Sequence, residues 1–132
     1  MITRNEILKG KECPPELEDN LNILIERCNR FERIIGLELT ITSGFRSMED
    51  HLRIYREKGI TDKSKIPMQS KHLYCQAVDF YDKDGRLKDM IKHLSEELLN
   101  DIEFWYEDLD STPTWLHCQI VPPRSNKRIF KP

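Results

Sequence analysis

One long amphipathic helix is the strongest structural signal in this sequence. From Glu16 to Ile35 the apolar residues recur at alternating spacings of four and three, which places them on one helix face: Leu17, Leu21, Leu24, Cys28, Phe31 and Ile35. Gly36 follows directly and is a typical residue for ending a helix. An apolar stripe of this length must be buried against a second layer, so the rest of the chain has to supply one.

Short strands and helices in the remaining sequence supply that layer. Alternating or continuous apolar residues predict strands over 37–42, 76–81, 102–108 and 115–121. Capping residues and apolar spacing predict helices over about 50–58 and 87–98, and the basic tail over 124–132 is predicted to be irregular. Because a short turn joins the last two strands, they form a hairpin rather than a parallel crossover. We therefore expect one α+β domain over 1–132, with a small, mainly antiparallel sheet flanked by helices.

Composition excludes several classes of protein. The chain has 132 residues with 21 basic and 23 acidic side chains, and a formal net charge of −2 argues against a nucleic-acid scaffold. No apolar run approaches the roughly 20 residues that cross a bilayer. The first residues also lack the apolar stretch of a signal peptide. We expect a monomer that is made in the cytoplasm and binds neither nucleic acid nor membrane.

Two histidines and one aspartate stand in unusual positions. Asp79 lies inside an otherwise apolar strand, where a carboxylate is costly unless it is paired, hydrogen-bonded or bound to a metal. His72 precedes it by seven residues, and His117 lies inside another predicted strand. Two imidazoles and one carboxylate are a known ligand set for catalytic zinc, which leaves one position open for water. Such residues are also common in ordinary cores and sheet edges, so spacing alone does not decide between the two interpretations.

Three short blocks, in order along the chain, strengthen the metal interpretation. They are the run Ser43-Gly44-Phe45-Arg46-Ser47, the pair Ser70-x-His72 and Ala77-x-Asp79, and the run Trp115-Leu116-His117. Together they resemble the motifs of the zinc D-Ala-D-Ala carboxypeptidases and L-alanyl-D-glutamate endopeptidases, in which the second block reads SxHxxGxAxD and the third reads WxH. The resemblance spans 37–121 and implies a hedgehog/DD-peptidase-like fold. It also implies that His72, Asp79 and His117 hold a zinc ion.

The resemblance further implies roles for two substrate-binding residues. Arg46 matches the family arginine that meets the carboxylate or carbonyl of the substrate. An arginine suits a carboxylate because its guanidinium can bind both oxygens at once. Ser70 matches a residue that helps to hold the substrate. Apart from the resemblance, Arg46 could form a surface ion pair with Glu49 or Asp50, and Ser70 could cap a turn.

One departure from the family pattern concerns a cysteine. Cys75 stands where the family has a glycine, and it follows His72 by three residues. Its thiol is therefore a conceivable ligand, although a less favoured one than Asp79. Cys118 neighbours His117, but on a strand it faces the opposite side of the sheet.

A second departure concerns the general base. Many relatives carry an acidic residue three positions before the last histidine, where this chain has Thr114, which cannot accept a proton as a carboxylate does. Other relatives, many of them from phages, place a glutamate at the end of the preceding hairpin strand, which is Glu107 here, with Asp108 and Asp110 in reserve. Glu107 and Asp108 face opposite sides of a regular strand. All three acids could instead form a solvated hairpin end.

These observations predict a zinc-dependent peptidase that cleaves peptidoglycan stem peptides as a carboxypeptidase or an endopeptidase. Glu107 is the expected general base and Arg46 the residue that orients the substrate. The lack of a signal peptide suits an endolysin-like phage enzyme that is released by lysis or carried in a virion. The alternative, motivated by Thr114, is a catalytically weak or inactive metal-containing module for wall binding or virion structure. His51 and His93 are expected on the surface.

Overall fold

The computed structural model describes residues 1–131, and helices and strands are interspersed along that range. Its α-helices are α1 (Arg4–Leu8), α2 (Glu18–Ile35), α3 (Met48–Glu57), α4 (Arg86–His93) and α5 (Glu96–Ile102). Its strands are β1 (Ile41–Ser43), β2 (Ala77–Tyr81), β3 (Trp105–Glu107), β4 (Trp115–Gln119) and β5 (Ile129–Phe130). Short 3₁₀ turns lie at Pro15–Leu17, Lys63–Lys65 and Lys71–Tyr74. No helix in this part of the chain has both the length and the apolar character needed to cross a membrane.

The strands form one mixed sheet in the order β1-β2-β4-β3-β5. The pairs β1–β2, β2–β4 and β3–β4 are antiparallel, and β3–β5 is parallel. The prediction of an α+β protein is therefore confirmed. The sheet is mixed rather than purely antiparallel because part of the tail, predicted to be irregular, adds β5 as a parallel edge strand.

Helix α2 packs its predicted apolar face against one side of this sheet. The central residues of the stripe are all fully buried: Leu21, Leu24, Cys28 and Phe31. The ring centroid of Phe31 lies 5.8 Å from that of Phe80 on β2 and 6.2 Å from that of Tyr106 on β3. Burying one such ring contributes about 1.5–3 kcal/mol to the free energy of unfolding. The core thus occupies one face of the sheet and leaves the opposite face free for a site.

The structure divides the helix predicted over 87–98 into α4 and α5. The backbone at Leu94 is extended, with φ −71° and ψ 144°. The Ser95 hydroxyl then accepts a hydrogen bond of 3.2 Å from the amide of Leu98 and caps α5. Because α5 continues to Ile102, the strand predicted over 102–108 begins only at Trp105. Similarly, the strand predicted over 37–42 begins only at Ile41 and continues to Ser43.

Gly44 joins β1 to α3 where the backbone passes close to α1. A methyl group added there would lie 2.3 Å from the carbonyl oxygen of Ile7, far inside van der Waals contact.

We expect Gly44→Ala to lower the free energy of unfolding by about 2–3 kcal/mol, as measured by denaturant unfolding of the metal-free protein. Gly59→Ala is the matched control: nothing lies within 4 Å of the added methyl, and its positive φ costs about 1 kcal/mol. Equal losses in the two variants would contradict this prediction.

Candidate metal centre

His72, Asp79 and His117 converge on the face of the sheet opposite α2. Asp79 on β2 pairs directly with His117 on β4, and His72 comes from the 3₁₀ turn that precedes β2. Asp79 Oδ1 lies 2.9 Å from His117 Nδ1, and Asp79 Oδ2 lies 3.4 Å from His72 Nε2. One donor atom from each residue lies within 4.8 Å of the other two, so the group could hold a metal ion. The structure brings together the three residues that the sequence singled out.

Both imidazoles are fixed by hydrogen bonds from their outer nitrogens. His72 Nδ1–H donates to the Gly44 carbonyl oxygen at 2.9 Å. His117 Nε2–H donates to the side-chain oxygen of Gln119 at 2.9 Å, and the Gln119 amide nitrogen donates to the Val121 carbonyl oxygen at 2.9 Å. Because the Gln119 amide nitrogen donates to Val121, the Gln119 side-chain oxygen must face the ring. His117 Nε2 must therefore be the donor in the bond between the two side chains. The inner nitrogens, His72 Nε2 and His117 Nδ1, are left facing the carboxylate between them.

A nitrogen lone pair that faces a carboxylate oxygen needs a cation between the two. Burial alone would raise the pKa of Asp79, but its side-chain contacts with His117 and His72 outweigh this effect and hold the pKa well below its ordinary value. Burial likewise would lower the pKa of His117, but its hydrogen bond to Asp79 outweighs this and raises the pKa above 6.5. In the metal-free protein at a pH below this raised pKa, therefore, a proton on His117 takes the place that a metal ion would occupy.

Binding of a metal ion is expected to release a proton from His117 at a pH below the raised pKa of its ring, because the metal can reach Nδ1 only after that proton leaves. The affinity for the metal should consequently fall as the pH decreases through the raised pKa of His117. Titration calorimetry in buffers of different ionisation enthalpy measures the proton release. Heats of binding that do not depend on the buffer at this pH would contradict the assignment of His117 as a ligand.

Glu107 extends the row of polar side chains onto the next strand. Tyr106 lies opposite Cys118 in the β3–β4 register, which brings Glu107 level with His117 on the same face. Glu107 lines a cavity of about 560 Å³ together with the three candidate ligands. Burial raises the pKa of Glu107 above its ordinary value; the charge of His117 opposes this shift and the charge of Asp79 adds to it. A carboxyl group with a raised pKa beside a metal site is suited to accepting and returning a proton.

The reserve base candidates lie outside this cavity. Asp108 accepts a hydrogen bond of 3.0 Å from the Ser111 hydroxyl and lines a separate cavity. Asp110 is exposed on the turn between β3 and β4, and Thr114 is exposed at its end. Of the four positions considered for the general base, Glu107 is the one that lines the cavity.

Arg46 and Ser70 both line the cavity that the candidate ligands line. The Arg46 guanidinium donates a hydrogen bond of 3.2 Å to His51 Nδ1. The surface ion pair considered from the sequence is not formed, and Asp50 instead pairs with Lys11 at 3.3 Å. The Ser70 side chain makes no capping hydrogen bond in the 3₁₀ turn that follows it. Both side chains therefore face the same space as the candidate ligands.

The prediction of a surface position is wrong for His51 and confirmed for His93. His51 is 0% exposed, whereas the His93 side chain is 77% exposed. His51 lies four residues before Tyr55, a spacing that places both on one helix face and could have indicated burial. The contact of Gln119 with His117 was not predicted from the sequence. Gln119 follows His117 by two residues and so shares its strand face, which could have indicated it.

Cys75 has the backbone conformation of a glycine while carrying a side chain. Its φ of +54° lies in the left-handed region that favours glycine, at the position where the resemblance leads us to expect one. The thiol is fully buried, and burial raises its pKa to about 12. Cys118 is buried in the core, on the strand face opposite His117. Within residues 1–131, the ligand group contains neither cysteine.

Comparisons of the chain with protein-family models, with curated proteins and with solved structures return no match. A functional assignment therefore depends on the residues and geometry described above, together with the resemblance carried by the three sequence blocks.

Proposed function

We propose that this chain is a zinc-dependent peptidase with a hedgehog/DD-peptidase-like fold, which cleaves peptidoglycan stem peptides as a carboxypeptidase or an endopeptidase. The main support is a row of polar side chains across three neighbouring strands. Asp79 on β2, His117 on β4 and Glu107 on β3 line one cavity on the open face of the sheet. Metal ligands beside a carboxyl group of raised pKa are the groups that metal-assisted hydrolysis needs.

The donor set fits zinc better than it fits the hard cations. His72, Asp79 and His117 offer two nitrogens and one oxygen, whereas calcium and magnesium prefer oxygen ligands. The outer hydrogen bonds of both rings are of the kind that orients ligands around catalytic zinc. When bound, zinc would polarise a carbonyl group and lower the pKa of a water molecule.

Glu107 is the residue that moves protons in this proposal. Its carboxylate accepts a proton from the attacking water and returns it to the leaving amine. A raised pKa suits both steps, because the group must be basic enough to take the proton and acidic enough to give it back. Only the deprotonated form is a base, so activity is expected to fall as the pH decreases through the pKa of Glu107.

The walls of the cavity favour an anionic substrate. Five basic residues line it: Arg46, Lys58, Lys71, Arg124 and Lys131. The acidic residues on the same walls are Asp79, a candidate ligand, and Glu107. This excess of positive charge attracts a peptide that carries several carboxylates, as peptidoglycan stem peptides do. Arg46 binds one of these carboxylates, and Ser70 holds the peptide beside the metal ligands.

Zinc content and peptide hydrolysis of the purified protein test the proposal together. We expect about one zinc ion per chain and cleavage of defined stem peptides, with mass spectrometry of the products identifying the bond that is cut. Bound zinc without any product would support the alternative of a non-catalytic module, which the absence of an acid at Thr114 motivates. Failure to bind zinc even when it is offered would overturn the metal site.

A further inference from the structure

We propose that His51 is a positioning residue, which holds the Arg46 guanidinium at the cavity through a direct hydrogen bond. The inference rests on the proposed function, in which Arg46 binds a substrate carboxylate. It goes beyond that function because His51 is neither among the residues that line the cavity nor in the ligand group.

His51 links Arg46 to the loop that follows α3. Arg46 Nη1 lies 3.2 Å from His51 Nδ1, and His51 Nε2 lies 2.6 Å from the Pro67 carbonyl oxygen. A guanidinium only donates and a carbonyl oxygen only accepts, so the two partners determine the state of the ring. Nε2 carries the proton and donates to Pro67, and Nδ1 accepts from Arg46. The Ser43 hydroxyl adds a longer contact of 3.4 Å to the guanidinium.

Burial keeps His51 in the neutral state that this link requires. The residue is 0% exposed, and its ring centroid lies 5.0 Å from that of Tyr55. Burial lowers the pKa of His51 below its ordinary value, and the hydrogen bond to the Pro67 carbonyl only partly opposes this. The positive charges of Arg46 and Lys58, together with His72, lower the pKa further. A protonated ring would turn an N–H toward the guanidinium, which cannot accept it.

A neutral partner leaves the charge of Arg46 available for a ligand. Within residues 1–131 no carboxylate lies at ion-pair distance from Arg46, whereas Asp50 pairs with Lys11 at 3.3 Å and with Arg53 at 3.2 Å. A carboxylate could also orient the guanidinium, but it would compete with the substrate carboxylate for the same donors. His51 orients Arg46 without competing, and a side chain ordered in advance loses less entropy when the substrate binds.

Steady-state kinetics with a stem-peptide substrate test the link through two substitutions. His51→Phe keeps an aromatic ring but removes both hydrogen bonds, so we expect KM to rise about tenfold while kcat changes less than about threefold. His51→Gln retains one acceptor and one donor, so its KM is expected within about threefold of the wild type. His93→Phe, at the exposed histidine of α4, is the matched control and is expected to change neither parameter. An equal rise of KM in both His51 variants, or a fall in kcat alone, would overturn the proposal.

A double substitution shows whether His51 acts through Arg46. If the only role of His51 in substrate binding is to position the guanidinium, His51→Phe adds nothing to the KM of an Arg46→Ala protein. Effects that multiply in the double variant would mean that His51 influences the substrate by another route and would overturn the link.

Nitrogen-15 NMR of the histidine side chains separates failure of this inference from failure of the proposed function, since it requires no activity. At about pH 7 we expect the neutral Nε2–H tautomer for His51 and a shift of its Nδ1 resonance in the Arg46→Ala protein. An inactive wild type with this signature supports the link and removes the peptidase assignment. If the wild type is active but the His51 Nδ1 resonance does not shift in the Arg46→Ala protein, the link alone is overturned.

Discussion

Replacing His117 by alanine is expected to abolish zinc binding and peptide hydrolysis together. The change removes Nδ1, which lies 2.9 Å from Asp79 Oδ1, and leaves two of the three candidate ligands. Loss of an outer hydrogen bond around a metal typically costs about 10–100-fold in affinity, and loss of a ligand costs more. Metal content after dialysis and the rate of stem-peptide cleavage measure the two effects.

His93→Ala is the matched control for the loss of an imidazole, because His93 is exposed on α4. Gln119→Leu supplies an intermediate case, since it keeps the His117 ring but removes the acceptor of its Nε2–H. We expect zinc affinity to follow the order wild type and His93→Ala, then Gln119→Leu, then His117→Ala. Full zinc content and full hydrolysis in His117→Ala would show that the ligand assignment is wrong.

Changing Glu107 to glutamine is expected to lower kcat by about 10²–10⁴-fold with zinc content unchanged. Glutamine has nearly the same shape but cannot accept a proton from water. Because Glu107 lines the cavity beside the candidate ligands without belonging to their group, the substitution tests proton transfer separately from metal binding. The wild-type enzyme should lose activity at acidic pH as Glu107 is protonated, and the Glu107→Gln variant should not show this dependence. The pH profile of kcat/KM is therefore the second measurement.

Asp108→Asn and Asp110→Asn are the controls for this experiment. Asp108 accepts a hydrogen bond from Ser111 outside the cavity, and Asp110 is exposed, so neither substitution is expected to change kcat by more than about twofold. If Asp108→Asn instead stops hydrolysis while Glu107→Gln does not, the assignment of the base has to be reversed. If all three variants keep full activity, proton transfer does not use this hairpin.

The helical part of the fold is predictable because its signal is local. The stripe that ends at Ile35 needs only the 3.6-residue period to be recognised, and its central residues are buried as expected. The break at Leu94 was missed, since the apolar spacing continues across it and the capping hydrogen bond of Ser95 gives only a weak signal. The strand Ile129–Phe130 was also missed, because two residues are too few for a period and their pairing partner lies 23 residues earlier in the chain.

The candidate site is predictable in its residues but not in its geometry. Asp79 stands out because a carboxylate interrupts an apolar strand, and the blocks around His72 and His117 indicate the other candidate ligands. The antiparallel register that sets Asp79 opposite His117 is a property of the whole sheet, and no local pattern specifies it. The burial of His51 depends on the Pro67 loop folding over α3, which is again a long-range event.

The alternation of side chains along β2 and β4 assigns adjacent residues to different tasks. Val78 and Phe80 are fully buried in the core, while Asp79 between them faces the cavity. Leu116 and His117 divide in the same way on β4. Natural selection can therefore change the chemistry of such a strand at one position while the neighbouring positions preserve the fold. An active hydrolase and a folded, inactive relative can then be a single nucleotide change apart in evolution.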